Sequence, residues 1–162
     1  MLSYILEWIG KRKPLIGEPG KILDVGGRDV NGSPRIMFLG KYTVLDMIDG
    51  KGVDIVMNAH DMKFKEEFDL VMCLETFEHD DKFWITLDNC KKALKKGGWM
   101  ILSAPGPYAP KHDWPGDYYR FQESAFKTFF KGYNKVEVEE IWGENCGTRE
   151  RPNLIIGMGQ KP

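Results

Sequence analysis

Three short apolar runs in this chain each close on a residue able to bind something, and two glycines follow the first. Residues 21–25 read Lys-Ile-Leu-Asp-Val and run into Gly26-Gly27; residues 42–46 close on Asp46; residues 68–73 close on Cys73. A glycine directly after a buried strand lets the backbone approach a ligand with no side chain between them. A carboxylate ending a neighbouring strand can accept both hydroxyls of a diol. Further along, residues 111–121 gather a histidine, acids, aromatics and an arginine in one stretch, Lys-His-Asp-Trp-Pro-Gly-Asp-Tyr-Tyr-Arg-Phe. Irregular loops of that composition on a rigid scaffold bind substrates. An imidazole with a pKa near ~6.5 is suited to moving a proton at neutral pH, which makes His112 the first candidate base and His79 the second, with Tyr118 and Arg120 beside them. Plainer roles stand next to these. His79 can fix its loop through a backbone hydrogen bond, Arg120 can pair with Asp113 or Asp117, Tyr118 and Tyr119 can cap the core, and His60 can be a loop residue. His60, His79 and His112 lack the i, i+3 or i, i+4 spacing of helical ligands, so spacing predicts no metal, and only convergence in space would create a site.

Positioning these groups requires a scaffold, and the pattern supplies one. Leu2, Ile5, Leu6 and Ile9 follow helical spacing, and Pro14, Gly17, Pro19 and Gly20 end that helix in a loop. Strands are predicted over 21–25, 42–46, 53–57, 68–73, 99–103, 136–141 and 154–158. A short helix is expected at 35–39. A longer one spans 82–96, with Phe83, Leu87, Cys90 and Leu94 on one stripe, lysines in its last turn and Gly97-Gly98 as its stop. Another covers 122–130, with Ala125, Phe126, Phe129 and Phe130 inward. Strands alternate with helices and two strands come last. That order predicts an α/β fold: a three-layer, doubly wound, mostly parallel seven-stranded sheet with an antiparallel edge. Ligands of such sheets bind beyond the carboxyl ends of the strands.

Bulk properties narrow the partners. The 162 residues suit one domain, read as 1–20 (helix and loop), 21–103 (ligand-binding half) and 104–162 (substrate loop, helix and final strand pair). With 29% charged residues and a net charge of −1, nothing favours a nucleic-acid partner. Lys91, Lys92, Lys95 and Lys96 read as a solvated helix face. Cys73, Cys90 and Cys146 form no C-x-x-C pair, and a cytoplasmic location is expected. No apolar run is long enough to span a membrane, and the basic cluster Lys11-Arg12-Lys13 follows the apolar start, contrary to the order of a signal peptide. The first helix is expected to pack on the domain, with membrane-surface association as the alternative. Oligomeric state is left open.

Several motifs, in order, resemble those of the class I S-adenosylmethionine-dependent methyltransferases. Ile22-Leu23-Asp24-Val25-Gly26-Gly27 resembles the first motif, and Asp46 matches the acid closing the second strand. Asn58-Ala59-His60-Asp61 is similar to D-A-x-D-L, Phe68 to Val71 to F-D-x-V, Glu75-Thr76-Phe77-Glu78-His79 to E-x-x-E-H, and Leu94 to Gly98 to L-K-P-G-G. The 111–121 stretch resembles H-D-x-P-x-D-Y-W-R-[FY] of one branch, with Tyr119 in place of Trp. The resemblance implies S-adenosylmethionine as cofactor and methyl transfer to oxygen or nitrogen of a small-molecule or sugar-like acceptor. It implies that Asp24 orients the ligand's amino group and Gly26 and Gly27 line its path. Asp46, with Met47 beside it, holds the ribose; Asn58, Ala59 and Asp61 meet the adenine; Cys73 lends backbone near the methionine end. Two departures stand out: Arg28 and Val30 replace the second and third glycines of G-x-G-x-G, and Asn58 replaces an Asp. They keep open an alternative, a non-catalytic cofactor- or partner-binding module. A dinucleotide fold fits worse. No G-x-G-x-x-G opens a helix, and Asp29 would face a pyrophosphate.

Overall fold

Ile22, Leu23 and Val25, with a buried Asp24 between them, make Lys21–Val25 (β1) a strand buried on both faces beyond its first residue, and it lies in the interior of the sheet. The structure, a computed structural model, describes residues 2–30, 32–112, 116–142 and 153–162. Within these, β1 is joined by Lys41–Asp46 (β2), Ile55–Val56 (β3), Phe68–Leu74 (β4), Leu94–Pro105 (β5), Asn134–Trp142 (β6) and Asn153–Gln160 (β7). The strand order is β3-β2-β1-β4-β5-β7-β6. β1 to β5 pair in parallel, while β7 runs antiparallel to both β5 and β6. This is the mostly parallel, seven-stranded sheet expected from the sequence, with its antiparallel strands at one edge.

Period-two alternation sends neighbouring side chains to opposite faces. Ile22, Met72, Ile101 and Met158 face one layer, where Leu2–Ile16 (α1) buries Ile5, Trp8 and Ile9. Leu23, Cys73, Met100 and Leu102 face the other, against Phe83–Ala93 (α2) and Glu123–Phe129 (α3). The apolar stripe of α1 is therefore spent on the sheet, as the packed-helix reading expects. Trp8 Nε1 donates to Glu139 of β6 at 2.7 Å, and Arg12 pairs with Glu137 at 2.8 Å while stacking 3.6 Å from the Trp8 ring centre. Among the described residues, no helix is long and apolar enough to cross a membrane.

Four expectations shift. The helix predicted at 35–39 is a single 3-10 turn, Pro34–Ile36, capped by the Ser33 hydroxyl. Ile36 and Leu39 remain in solvent, so no apolar stripe exists to hold a longer helix. The third strand shrinks to two residues. The first helix continues through Pro14, because a proline in the last turn removes one intrahelical bond at a point where the helix is ending anyway. The 82–96 helix stops at Ala93, and residues 94–98 join β5. Gly98 fits there because a Cβ would stand 2.7 Å from Leu94 and 3.0 Å from the Asp69 carbonyl.

Candidate functional site

The chain order reverses between β1 and β4, which places the sheet's crevice over the ends of β1, β2 and β4. There Gly26 turns the backbone at φ 74 and donates its N–H to the Leu45 carbonyl at 2.7 Å. Its lack of a side chain has a second cause besides ligand approach: a Cβ would lie 2.3 Å from the Thr76 hydroxyl oxygen. Thr76 in turn bonds the Val25 carbonyl at 3.3 Å, so the loop after β4 grips the loop after β1. A Cβ on Gly27 would stand 2.4 Å from Asp24 Oδ2. Asp24 is 1% exposed and that oxygen has no partner. Burial pushes its pKa up to about 7, Arg35 opposing and Asp46 adding to the rise.

Asp46 faces the same loop. Its Oδ2 accepts the Arg28 amide at 3.3 Å and its Oδ1 the Ile48 amide at 2.9 Å, leaving further lone pairs on both oxygens. The Arg28 stem lies against Gly50, Lys51 pairs with Asp29 at 2.6 Å, and Arg35 pairs with Asp54 at 2.7 Å. These contacts zip the loops after β1 and β2 together and aim the Arg28 stem towards Gly50. Met47 is exposed beside Asp46. Asn58 caps the 3-10 turn Ala59–Asp61, its side-chain oxygen accepting the His60 amide at 2.9 Å. Ala59 is half-buried and its carbonyl is held by Asn89, while Asp61 is exposed. Cys73 does not stand at the rim. It is fully buried against Cys90, paired in the sheet with Val25 on one side and Leu102 on the other, and burial raises its thiol pKa well above the usual range.

The acceptor side assembles from the loops after β4 and β5. His79 and His112, 33 residues apart, approach to 3.2 Å between their Nε2 atoms. The Nδ1 of His79 donates to the Gly116 carbonyl, which fixes Nε2 as the lone-pair nitrogen. Burial lowers the His79 pKa, keeping the ring neutral. Glu78 is 1% exposed, with Oε1 3.7 Å from His79 Nε2 and Oε2 unpartnered. Glu75 sits nearby at φ 51, both carboxylate oxygens buried and unpartnered. Burial raises the pKa values of both acids. Arg120, expected among the catalytic residues, is instead a loop pin: it pairs with both Asp117 oxygens and donates to the Ala109, Pro110 and Tyr119 carbonyls. That pairing and the His112 amide hold Asp117 down at about 2. Tyr118 is exposed and lies over Gly116, its amide on the Glu78 carbonyl at 2.7 Å. Tyr119 packs on Phe83 and donates to Asp81, capping the core. His60 bonds Asp80 at 2.8 Å, away from the other two histidines' contact. Asp113, Trp114 and Pro115 lie outside the described residues, as do residues 143–152 with Cys146.

Sequence reasoning singled out His79 from the 75–79 run and passed over Glu75, Thr76 and Glu78. The available signal was two acids and a histidine crowded into five residues directly after the strand that ends at Leu74.

Comparison with known proteins fits this geometry. Residues 42–102 match the family model described as a methyltransferase domain. A ubiquinone biosynthesis O-methyltransferase of Thiobacillus denitrificans is 31% identical over 115 residues, 60% of this chain and 49% of that protein. The chain thus spans about half the length of this curated relative. Among solved structures, the N-methyltransferase NodS of Bradyrhizobium japonicum with bound S-adenosyl-L-homocysteine superposes with a TM-score of 0.72 at 13% identity, covering 99% of this chain and 87% of that one. The 1,6-didemethyltoxoflavin-N1-methyltransferase of Burkholderia thailandensis gives 0.68 at 15% identity, covering 97% and 78%. At these identities the likeness is one of fold.

Proposed function

We propose that this chain, whose residues 42–102 match a methyltransferase-domain model and whose fold is shared by a methyltransferase solved with S-adenosyl-L-homocysteine, moves a methyl group from S-adenosylmethionine to an oxygen or nitrogen of a small-molecule acceptor. One observation carries this reading: a buried carboxylate with an unpartnered oxygen, Asp24, directly beneath the Gly27 backbone at the sheet's switch point. The residues fit such a ligand. Asp24 offers a counter-charge for an ammonium, and Asp46 keeps lone pairs for a ribose diol. Met47 and the 58–61 turn flank the place an adenine would take. The donor, when bound, supplies a methyl carbon already activated by its sulfonium.

The protein's own contribution is alignment and proton handling. Alignment of acceptor, methyl and sulfur can be worth ~7–11 kcal/mol. The Thr76–Gly26 contact ties the donor loop to the turn that carries Glu78 and His79, so the two half-sites keep one register. His79, oriented by the Gly116 carbonyl and kept neutral by burial, presents a lone pair that can receive an acceptor's proton, with His112 as its neighbour. Such a base contributes about 10²–10⁴-fold. The relatives support a small acceptor, because one is named for ubiquinone biosynthesis and another for 1,6-didemethyltoxoflavin.

Titration calorimetry with S-adenosylmethionine and S-adenosylhomocysteine tests the pocket, and mass spectrometry over a panel of phenols, amines and sugars tests transfer. Binding weakened at least tenfold by Asp46→Ala, with methylated product from one acceptor class, is expected. Failure of both ligands to bind ends the reading. A second reading, a non-catalytic binding module, draws on Arg28 standing where the family has glycine; binding with no transfer to any acceptor would favour it.

A further inference from the structure

We propose that Glu78, His79 and His112 form a site for a divalent transition-metal ion of the zinc class. The three residues offer one carboxylate oxygen and two imidazole nitrogens, all within 4.8 Å of one another. Each is aimed at the others for a separate reason. The Gly116 carbonyl can only accept, so it holds the proton of His79 on Nδ1 and leaves the Nε2 lone pair pointing at His112. The His112 amide is tied to Asp117, whose Oδ2 lies 4.0 Å from His112 Nδ1, so a carboxylate charge stands near the ring nitrogen other than the one facing His79. Glu78 has one oxygen 3.7 Å from His79 Nε2 and the other buried with no partner. A buried carboxylate left without hydrogen bonds is costly, and a cation among these atoms removes that cost.

The spacing suits the chemistry. Ligands at about 2.0–2.2 Å from a tetrahedral ion stand roughly 3.2–3.6 Å from each other. The His79–His112 and Glu78–His79 separations are 3.2 and 3.7 Å. Closing the remaining pair needs only a rotation of the part-exposed His112 ring, whose side chain is 42% accessible. Two imidazoles and one carboxylate favour zinc, manganese or iron(II) over magnesium, which prefers oxygen ligands. Three protein ligands leave coordination positions open, the mark of a site that binds something besides the protein. The ion would also clamp the loops after β4 and β5 to each other. In the ion-free chain the same imidazoles are the proton acceptors described above, so the proposal goes beyond the methyl-transfer reading and does not depend on it.

Equilibrium dialysis of the chelator-stripped full chain against Zn²⁺, Mn²⁺ and Mg²⁺, with elemental analysis, tests this directly. One equivalent of Zn²⁺ or Mn²⁺ is expected at micromolar or tighter affinity, with Mg²⁺ at least 100-fold weaker. Substituting Co²⁺ should give a visible absorption band that His112→Ala removes. His112→Ala and Glu78→Gln should each weaken Zn²⁺ binding at least 100-fold. His112 is partly exposed, so its variant is expected to fold even if the Glu78 variant does not. Absence of a bound equivalent, or binding that His112→Ala leaves unchanged, overturns the proposal, and the pair is then a His–His hydrogen bond alone.

Discussion

Asp24 is an acid whose pKa burial raises from 3.8 to about 7 in the folded chain, and the sign of its effect follows. A carboxyl protonated more readily in the folded than in the unfolded state stabilises the fold fully below pH 3.8, and that contribution is lost as the pH climbs through about 7. The ligand-free chain should therefore melt at a lower temperature at pH 8 than at pH 5, and Asp24→Asn should flatten that slope in thermal melts followed by circular dichroism. An ammonium-bearing ligand favours the ionised form, so donor affinity should rise between pH 5 and 7.5 and fall at least tenfold in Asp24→Asn by calorimetry. Gly27→Ala acts on the same carboxylate. Its new methyl would meet Asp24 Oδ2 at 2.4 Å, which should cost about 1–3 kcal/mol in urea titration and weaken donor binding with it.

Secondary-structure elements in this molecule are fixed by what they bury. β7 carries Gly157 and Gly159 on the face where α3 docks, and a Cβ at either would stand 2.9 Å from the Phe130 ring. Phe130 packs this closely on the sheet only because those two positions are bare. Gly157→Ala should lower stability by about 1–3 kcal/mol in denaturant while leaving donor affinity per folded molecule unchanged, because the ligand rim is at β1 and β2. On the opposite face, Trp8 joins α1 to β6 through its ring nitrogen and its buried surface. Trp8→Ala should cost about 3–5 kcal/mol, read by the same titration.

At the scale of the whole molecule, the two layers on the sheet hide what lies between them. Cys73 and Cys90 are fully buried in the α2–α3 layer, and burial raises the Cys73 thiol. A thiolate is the reactive form. Both cysteines should resist a thiol reagent at pH 8 in the folded chain and label fully in guanidinium, as counted by peptide mass spectrometry. Ligand binding is linked to global stability by mass action. S-adenosylhomocysteine at 100 times its dissociation constant should add about 2.7 kcal/mol, visible as a rise in melting temperature.

Local pattern alone determined the order of strands and helices, the parallel character of the sheet, and the placement of Asp24, Gly26, Gly27 and Asp46 at strand ends. Each follows from a run of apolar residues stopped by an acid or a glycine, information carried within a few neighbouring positions. Tertiary structure decided what no short window holds. It assigned Gly26 to a contact with Thr76, 50 residues away, and turned Arg120 into the pin of its own loop through Asp117. It buried Cys73 against Cys90, and it brought His79, His112 and Glu78 to one point. Those outcomes depend on loops from separate strands meeting above the sheet, and the distance between such loops is set by strand order, which the spacing of residues along the chain does not encode.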